Sequence, residues 1–238
     1  MSQPSSDVLV FAAVLLIGYP IADYVVTSRL KRSAQSNKRF YAWVLGSEWL
    51  FTIAAVGLLK RHGSTLSDIG EASGRRIITI GFVGARLIFG AIFAAYNRKR
   101  ILKLPPERLS KVLRQAGPLV PQPGVERAMW VLVAVTAGFC EELLYRGWLW
   151  RFFSDLTGHL WIAVFLSAVA FGLAHAYQGR AGIVSTGIVG LLFSVPVLLT
   201  NSLVPVQVIH AGIDLTNGLL LSKAAESISG VGAHQSSC

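Results

Sequence analysis

The feature that most constrains this chain is a set of three charged residues inside one long apolar segment. Residues 128–150 are apolar or aromatic almost throughout, yet they contain Glu141, Glu142 and Arg146. A charge at the centre of a bilayer costs about 2.5–3.5 kcal/mol on insertion scales. Three charges in one span must therefore pair with one another or line a polar cavity.

Helical spacing predicts different roles for these charges. Residues four apart share a helix face, so Glu142 lies beside Arg146 and the two can neutralise each other. Glu141 is rotated by about 100° and has Tyr145 one turn further on instead of the arginine. The sequence therefore predicts one structural ion pair and one free carboxylate.

The composition indicates which class of protein accommodates these charges. Hydrophobic residues make up 53% of the 238 residues and charged residues only 14%, whereas soluble domains carry about 25% charged residues. We therefore predict an all-α, polytopic transmembrane helix bundle of about seven spans (roughly six to eight), with a polar active-site cavity within the bundle. The net charge of +10 does not indicate nucleic-acid binding, because the basic residues lie in short loops between apolar spans.

The predicted spans divide the chain into three parts. They cover residues 8–26, 41–59, 77–96, 128–150, 160–177, 181–200 and 203–222. We assign 1–127 to N-terminal membrane helices with a basic amphipathic loop, 128–222 to a catalytic helical core, and 223–238 to a flexible tail. The first and third loops hold most of the basic residues between the spans. The positive-inside rule therefore places both in the cytoplasm, with the N-terminus outside and the C-terminus inside.

The third loop contains a predicted surface helix. Pro106 can begin it, Gly117 can end it, and Leu109, Val112 and Leu113 share one face. A basic helix with one apolar face is typical of a segment that lies on an anionic membrane surface.

Two charged residues interrupt earlier spans. Glu48 is near the middle of the second span and Arg86 near the middle of the third. Since consecutive spans are antiparallel neighbours in a simple bundle, we predict one structural ion pair in preference to a substrate contact.

The later spans carry two pairs of residues spaced by four. Phe171 and His175 form one pair, and His210 and Asp214 form the other. Each pair shares a helix face, and a carboxylate one turn from an imidazole can orient it and favour its cationic form. Because ionisable groups in membranes face the bundle interior, we expect both histidines to meet Glu141 in one pocket.

Such a pocket is suited to hydrolysis in two ways, which the residues alone leave open. A carboxylate beside an imidazole can deprotonate a water, while a second imidazole donates to the oxyanion. Alternatively, Glu141, His175 and His210 are a ligand set for a divalent metal such as zinc with one open position. The helical H-E-x-x-H metalloprotease motif is absent.

The three motifs, in this order, resemble the CAAX prenyl-protease and bacteriocin-processing family (CPBP, or Abi) of intramembrane endopeptidases. The family pattern is E-E-x-x-x-R, then F-x-x-x-H, then H-x-x-x-N or a variant. The motifs stand here as Glu141-Glu142-Leu-Leu-Tyr-Arg146, Phe171-Gly-Leu-Ala-His175 and His210-Ala-Gly-Ile-Asp214. The resemblance covers about residues 128–222.

The resemblance implies a protease that acts on a peptide or protein substrate within the membrane lipid. It implies that Glu141 and His175 activate the attacking water, and that His210 and the residue at 214 steady the oxyanion. Glu142, Arg146 and Phe171 are then structural. The family is often labelled metalloprotease, and a metal-free water activated by glutamate is the alternative for the same residues.

Position 214 departs from the prenyl-protease branch, where the residue is Asn. An ionised Asp cannot donate a hydrogen bond to an oxyanion. Asp214 is therefore protonated, orients His210, or joins a metal site. With Asp at this position the chain resembles the diverse bacterial branch of the family, which implies a location in a bacterial plasma membrane. A prenylated substrate is therefore not assumed.

Two other functions use the same residues. A catalytically inactive immunity or scaffold protein would keep the pocket and act by protein contact. A transporter would use the buried ionisable groups as a relay, although the sequence shows neither inverted repeats nor an evident pair of broken helices.

Overall fold

The computed structural model describes residues 4–32, 37–71 and 76–235. The side chains of some further positions within these ranges, Arg86 among them, lie outside the described part. The α-helices are α1 Ser6–Ala13, α2 Tyr19–Arg32, α3 Lys38–Arg61, α4 Arg76–Leu102, α5 Pro106–Ala116, α6 Val125–Glu142, α7 Leu149–Thr157, α8 Leu160–Ala174, α9 Gly179–Thr200 and α10 Val204–Gln235. Turns of π-helix at Val14–Gly18 and Leu143–Trp148 join α1 to α2 and α6 to α7.

Several of these helices are suited to cross a membrane. In the described part of the chain, five segments are long and apolar enough, namely Ser6–Leu30, Lys38–Arg61, Val125–Thr157, Ala176–Thr200 and Val204–Ser227. Helix α8 is apolar but shorter, and α4 is helical across the predicted third span. The chain is therefore an integral, multi-pass membrane protein. The predicted all-α bundle is confirmed, and the predicted number of spans is roughly compatible with these helices.

The site rests on two close helix contacts made at glycines. A Cβ atom on Gly138 of α6 would lie 2.7 Å from the backbone nitrogen of Ala211 on α10. A Cβ atom on Gly172 of α8 would lie 2.6 Å from the carbonyl oxygen of Ile183 on α9. Since carbon atoms do not approach backbone so closely, glycine lets the helix axes come together at both places. Helix α6 also packs against α3, and α10 against α4.

The loops are distributed over two faces as the sequence predicts. The first and third loops meet, because Asn37 donates to the Val120 carbonyl at 3.0 Å and Tyr41 donates to that of Pro118 at 2.8 Å. On the opposite face, the Leu203 amide donates to the Gly70 carbonyl of the second loop at 2.9 Å. We call the face of the first and third loops the basic face.

The second loop also contacts α10 through a carboxyl group. Gln207 donates from Nε2 to Oε2 of Glu71 at 2.8 Å. Burial raises the pKa of the Glu71 carboxyl above its usual range, and the hydrogen bond from Gln207 opposes this rise. The loop is thereby attached to α10 one turn before His210.

The first and last helices of the described chain, α1 and α10, begin and end on opposite faces. Asp7 near the start contacts His62 of the second loop at 3.1 Å. Arg127 and Glu226 form an ion pair of 2.9 Å that places the end of α10 at the basic face. Residues 223–235, predicted as part of a flexible tail, continue helix α10, and Cys238 lies outside the described residues.

The predicted amphipathic helix is present as α5. It begins at Pro106 and ends before Gly117, whose positive φ of 55° stops the helix. Leu109 is buried, whereas the basic side chains of Arg108, Lys111 and Arg114 are exposed. The apolar face of α5 lies toward the bundle, and its basic face lies outward.

Candidate active site

The Glu-Glu pair ends helix α6, and a turn of π-helix follows it at once. Leu143–Trp148 form this turn, which contains Arg146. Single π-helical turns inside longer helices are frequent at functional sites, because the extra residue changes the directions of the side chains that follow. The motif therefore lies where the helix geometry itself changes.

The predicted ion pair within the motif is present and fully buried. Arg146 Nη1 lies 3.2 Å from Glu142 Oε1, and the two side chains are 1% and 0% exposed. Arg146 Nη2 also donates to the Gly190 carbonyl on α9 at 3.2 Å. The guanidinium lies 4.2 Å from the centre of the Phe171 ring on α8. One arginine therefore contacts three structural elements, and Phe171 packs beneath its charge.

His210 on α10 has a partner that spacing did not predict. Its Nδ1 lies 2.7 Å from Glu142 Oε1, so the carboxylate that binds Arg146 also orients this ring. Nε2 lies 3.5 Å from Asp214 Oδ2 and 3.8 Å from Glu141 Oε2. Both distances exceed an ordinary N–H···O hydrogen bond. Nε2 is thus directed between two carboxyl groups without a short bond to either.

His175 is held at the end of α8 by the residue four positions before it. Its Nδ1 lies 2.8 Å from the Phe171 carbonyl oxygen. A carbonyl oxygen can only accept, so Nδ1 carries a proton, and a ring that carries this proton alone has its lone pair on Nε2. The Phe-x-x-x-His motif therefore fixes both the position and the tautomer of this imidazole.

These side chains line one cavity of about 640 Å³ inside the bundle. Glu141, His175, His210 and Asp214 all border it, together with Phe171. The predicted convergence of α6, α8 and α10 on one polar pocket is therefore present. The cavity continues toward the basic face, where its wall includes Asn97, Ile101 and Leu119.

Glu48 and Tyr145 also border the cavity, although neither was among the predicted site residues. Glu48 on α3 is only 3% exposed and interacts electrostatically with Glu141. Tyr145 is 2% exposed and borders the cavity. Glu48 Oε2 and the Tyr145 hydroxyl have no hydrogen-bond partner among the described residues. The sequence signal for Glu48 was a carboxyl group within a predicted membrane span. We interpreted that group as one half of an ion pair with Arg86. That pair stays a prediction, because the Arg86 side chain lies outside the described residues.

The zinc alternative requires three side chains that share one ion. Among the residues that the structure describes, no three His, Cys, Asp or Glu side chains are placed in this way. The arrangement of Glu141, His175 and His210 in the described residues therefore does not fit the alternative ligand set for a zinc ion.

Comparison of the chain with known proteins found one family whose model matches the part of the chain that contains this site. Residues 123–216 match the family model "Type II CAAX prenyl endopeptidase Rce1-like". The matched range contains all three motifs and supports a CAAX-type intramembrane protease as the kind of function. Neither the curated proteins nor the solved structures gave a significant match. Residues 123–216 are therefore similar to the Rce1-like type II CAAX prenyl endopeptidases, which is consistent with the CPBP family that the three motifs resemble.

Proposed function

We propose that the chain is an intramembrane endopeptidase that hydrolyses a peptide bond in the cavity between α6, α8 and α10. The observation that supports this most directly is that Glu141, His175 and His210 border one cavity inside the bundle. A carboxylate and two imidazoles are sufficient for a hydrolysis that proceeds through general base catalysis and an oxyanion.

Water activation is the role of Glu141 and His175. Glu141 Oε2 has no hydrogen-bond partner among the described residues, so it is available to accept a proton from a water molecule. His175, with its proton on Nδ1, offers the Nε2 lone pair to the same water. The hydroxide oxygen attacks the carbonyl carbon of the substrate as the proton passes to Glu141. General base catalysis of this kind contributes roughly 10²–10⁴-fold to the rate.

His210 stabilises the oxyanion that this attack creates. The Nδ1–H group of His210 donates to the Glu142 carboxylate. A second hydrogen bond, from Nε2 to the oxyanion, therefore requires a ring that is protonated on both nitrogens. Asp214, 3.5 Å from Nε2, balances the charge of that imidazolium. This gives the Asp at 214 an orienting role, in place of the donor role that Asn has in the prenyl-protease branch.

Collapse of the tetrahedral intermediate completes the reaction. The bond between carbonyl carbon and nitrogen breaks, and the proton that Glu141 accepted passes to the leaving amine. The products are a carboxylic acid and an amine, and Glu141 returns to its starting state. The same carboxyl group is thus base in the first step and acid in the second.

The substrate reaches this site from the basic face. The cavity continues in that direction, and the positive-inside rule assigns this face to the cytoplasm. We infer that a peptide or protein substrate enters between lipid and bundle at the cytoplasmic side of a bacterial plasma membrane.

Replacement of Glu141 tests the proposed function. Membranes from cells that produce the intact protein or the Glu141→Gln variant are compared for new protein N-termini, and a peptide that spans the identified bond is assayed with purified protein. We expect Glu141→Gln to lower kcat by at least about 100-fold. Glu226→Gln, the same chemical change at the surface, serves as control and keeps full activity.

The same experiment separates the rival functions. Undiminished cleavage by Glu141→Gln would refute the proposal. A cellular function that survives Glu141→Ala, His175→Ala and His210→Ala together would indicate a protein that acts by contact. Ion flux in liposomes without any peptide product would indicate a transporter.

A further inference from the structure

The described wall of the cavity is acidic. Four of its residues carry carboxyl groups, namely Asp23, Glu48, Glu141 and Asp214, and none of the described lining residues is Lys or Arg. The two histidines are the only described lining groups that can offset this charge. Arg146 lies close by but is bound to Glu142 and Gly190. A cavity of low dielectric lined by one sign of charge concentrates ligands of the opposite sign.

Glu48 is the wall residue that indicates a ligand most directly. The residue is 3% exposed and borders the cavity. Its carboxyl group shares a hydrogen bond with that of Glu141, and its Oε2 is left without a hydrogen-bond partner among the described residues. Asp23, by contrast, accepts a hydrogen bond from Trp43 Nε1 at 2.9 Å. A buried carboxyl oxygen without a partner is costly, and a cation that reaches it removes that cost.

We propose, on the basis of the proposed function, that Glu48 binds the cationic side chain of a Lys or Arg residue in the substrate peptide. Glu48 interacts with Glu141, so the bound side chain belongs to a residue adjacent or nearly adjacent to the cleaved bond. Phe40, Val44 and Val133 border the same cavity and can cover the alkyl part of a lysine. The negative charge of the cavity wall also disfavours a substrate that brings a free carboxylate into the cavity.

A peptide series tests this preference in the full chain. An internally quenched apolar peptide is prepared with Lys, norleucine or Glu at each position in turn. Norleucine has the alkyl chain of lysine without the charge. We expect Lys at one position beside the cleaved bond to raise kcat/KM about 10- to 100-fold over norleucine, and Glu there to lower it.

The Glu48→Gln variant assigns that preference to one side chain. We expect its ratio of kcat/KM for the Lys and norleucine peptides to fall to about 1, whatever its overall rate. The Glu107→Gln variant changes charge equally on the exposed surface of α5 and keeps the ratio of the unchanged protein. A ratio that Glu48→Gln leaves intact overturns the proposal, even if its pH profile shifts for all peptides alike. That result would mean that Glu48 is already held, either by the Glu141 carboxyl group or by Arg86, its predicted partner, whose side chain lies outside the described residues.

Binding provides a second measurement if Glu48→Gln does not fold or no peptide is cleaved. The affinities of labelled Lys and norleucine peptides for the Glu141→Gln variant are measured by fluorescence anisotropy. Tighter binding of the Lys peptide, weakened by the shorter side chain in Glu48→Asp, supports the cation site. Equal affinities overturn it. Absence of cleavage by the unchanged protein refutes the proposed protease alone, so the two failures are distinguishable.

Discussion

At the scale of single residues, the carboxylate of Glu142 has two partners on different helices. Arg146 lies one turn along the same helix, and His210 reaches the same oxygen from α10. The first contact follows from i,i+4 spacing and could be predicted from sequence. The second depends on how α6 packs against α10, which spacing within one helix does not determine.

Removal of Arg146 should therefore destabilise the protein. Arg146→Met leaves the Glu142 carboxylate buried with His210 as its one remaining partner among the described residues. The loss of one member of a buried ion pair costs about 3–5 kcal/mol, and we expect a lower thermal unfolding temperature in detergent. The double variant Glu142→Gln/Arg146→Met should recover much of that stability but not activity, because His210 loses its charged partner. A single variant as stable as the unchanged protein would contradict this.

At the scale of elements, the site depends on how closely α6 approaches α10. Gly138 lies one turn before Glu142, and Ala211 directly follows His210, so the close contact and the histidine–carboxylate bond are neighbours. The motifs predicted that these helices converge. They did not predict the contact at Gly138, because glycine in an apolar span has no pattern that identifies its neighbour. The predicted pairing of Glu48 with Arg86 rests on adjacency of the two spans along the chain, and it stays a prediction.

Substitution of Gly138 tests this contact. The Cβ atom of Gly138→Ala would meet backbone atoms of α10 at 2.7 and 2.8 Å, so the helices have to separate. We expect a loss of about 1–3 kcal/mol and a larger loss of activity as His210 moves away from Glu142. Gly57→Ala in α3 is the matched control, because its Cβ atom meets nothing within 4 Å. Equal behaviour of the two variants would show that the contact does not position the site.

At the scale of the whole molecule, the charge distribution and the fold agree on two faces. The basic first and third loops lie together, and the second loop lies opposite with the start of the chain. This much could be predicted by counting Lys and Arg, since spans alternate in direction. The composition of the chain also predicted a membrane helix bundle correctly. The bounds of the cavity and its acidic wall could not be predicted, because they depend on side chains from helices far apart in sequence.

Cysteine labelling tests which face is cytoplasmic. In a Cys238→Ser background, Lys103→Cys and Lys60→Cys place single thiols on opposite faces, both at exposed positions. We expect a membrane-impermeant maleimide to label Lys60→Cys in intact cells and Lys103→Cys only after lysis. The native Cys140 is buried and gives no background. The reverse pattern would invert the predicted orientation.

The short length of α8 has a consequence for how water reaches the reaction. Its 15 residues rise about 22 Å, less than the roughly 30 Å of a hydrocarbon core. The helix starts at the face opposite the basic face, beside Gly158, which shares a wall with His62. His175 and the turn into α9 therefore lie below the basic surface of the bundle. We therefore expect the bilayer to thin or to admit water beside this end of α8, and the proposed hydrolysis would take its water from there.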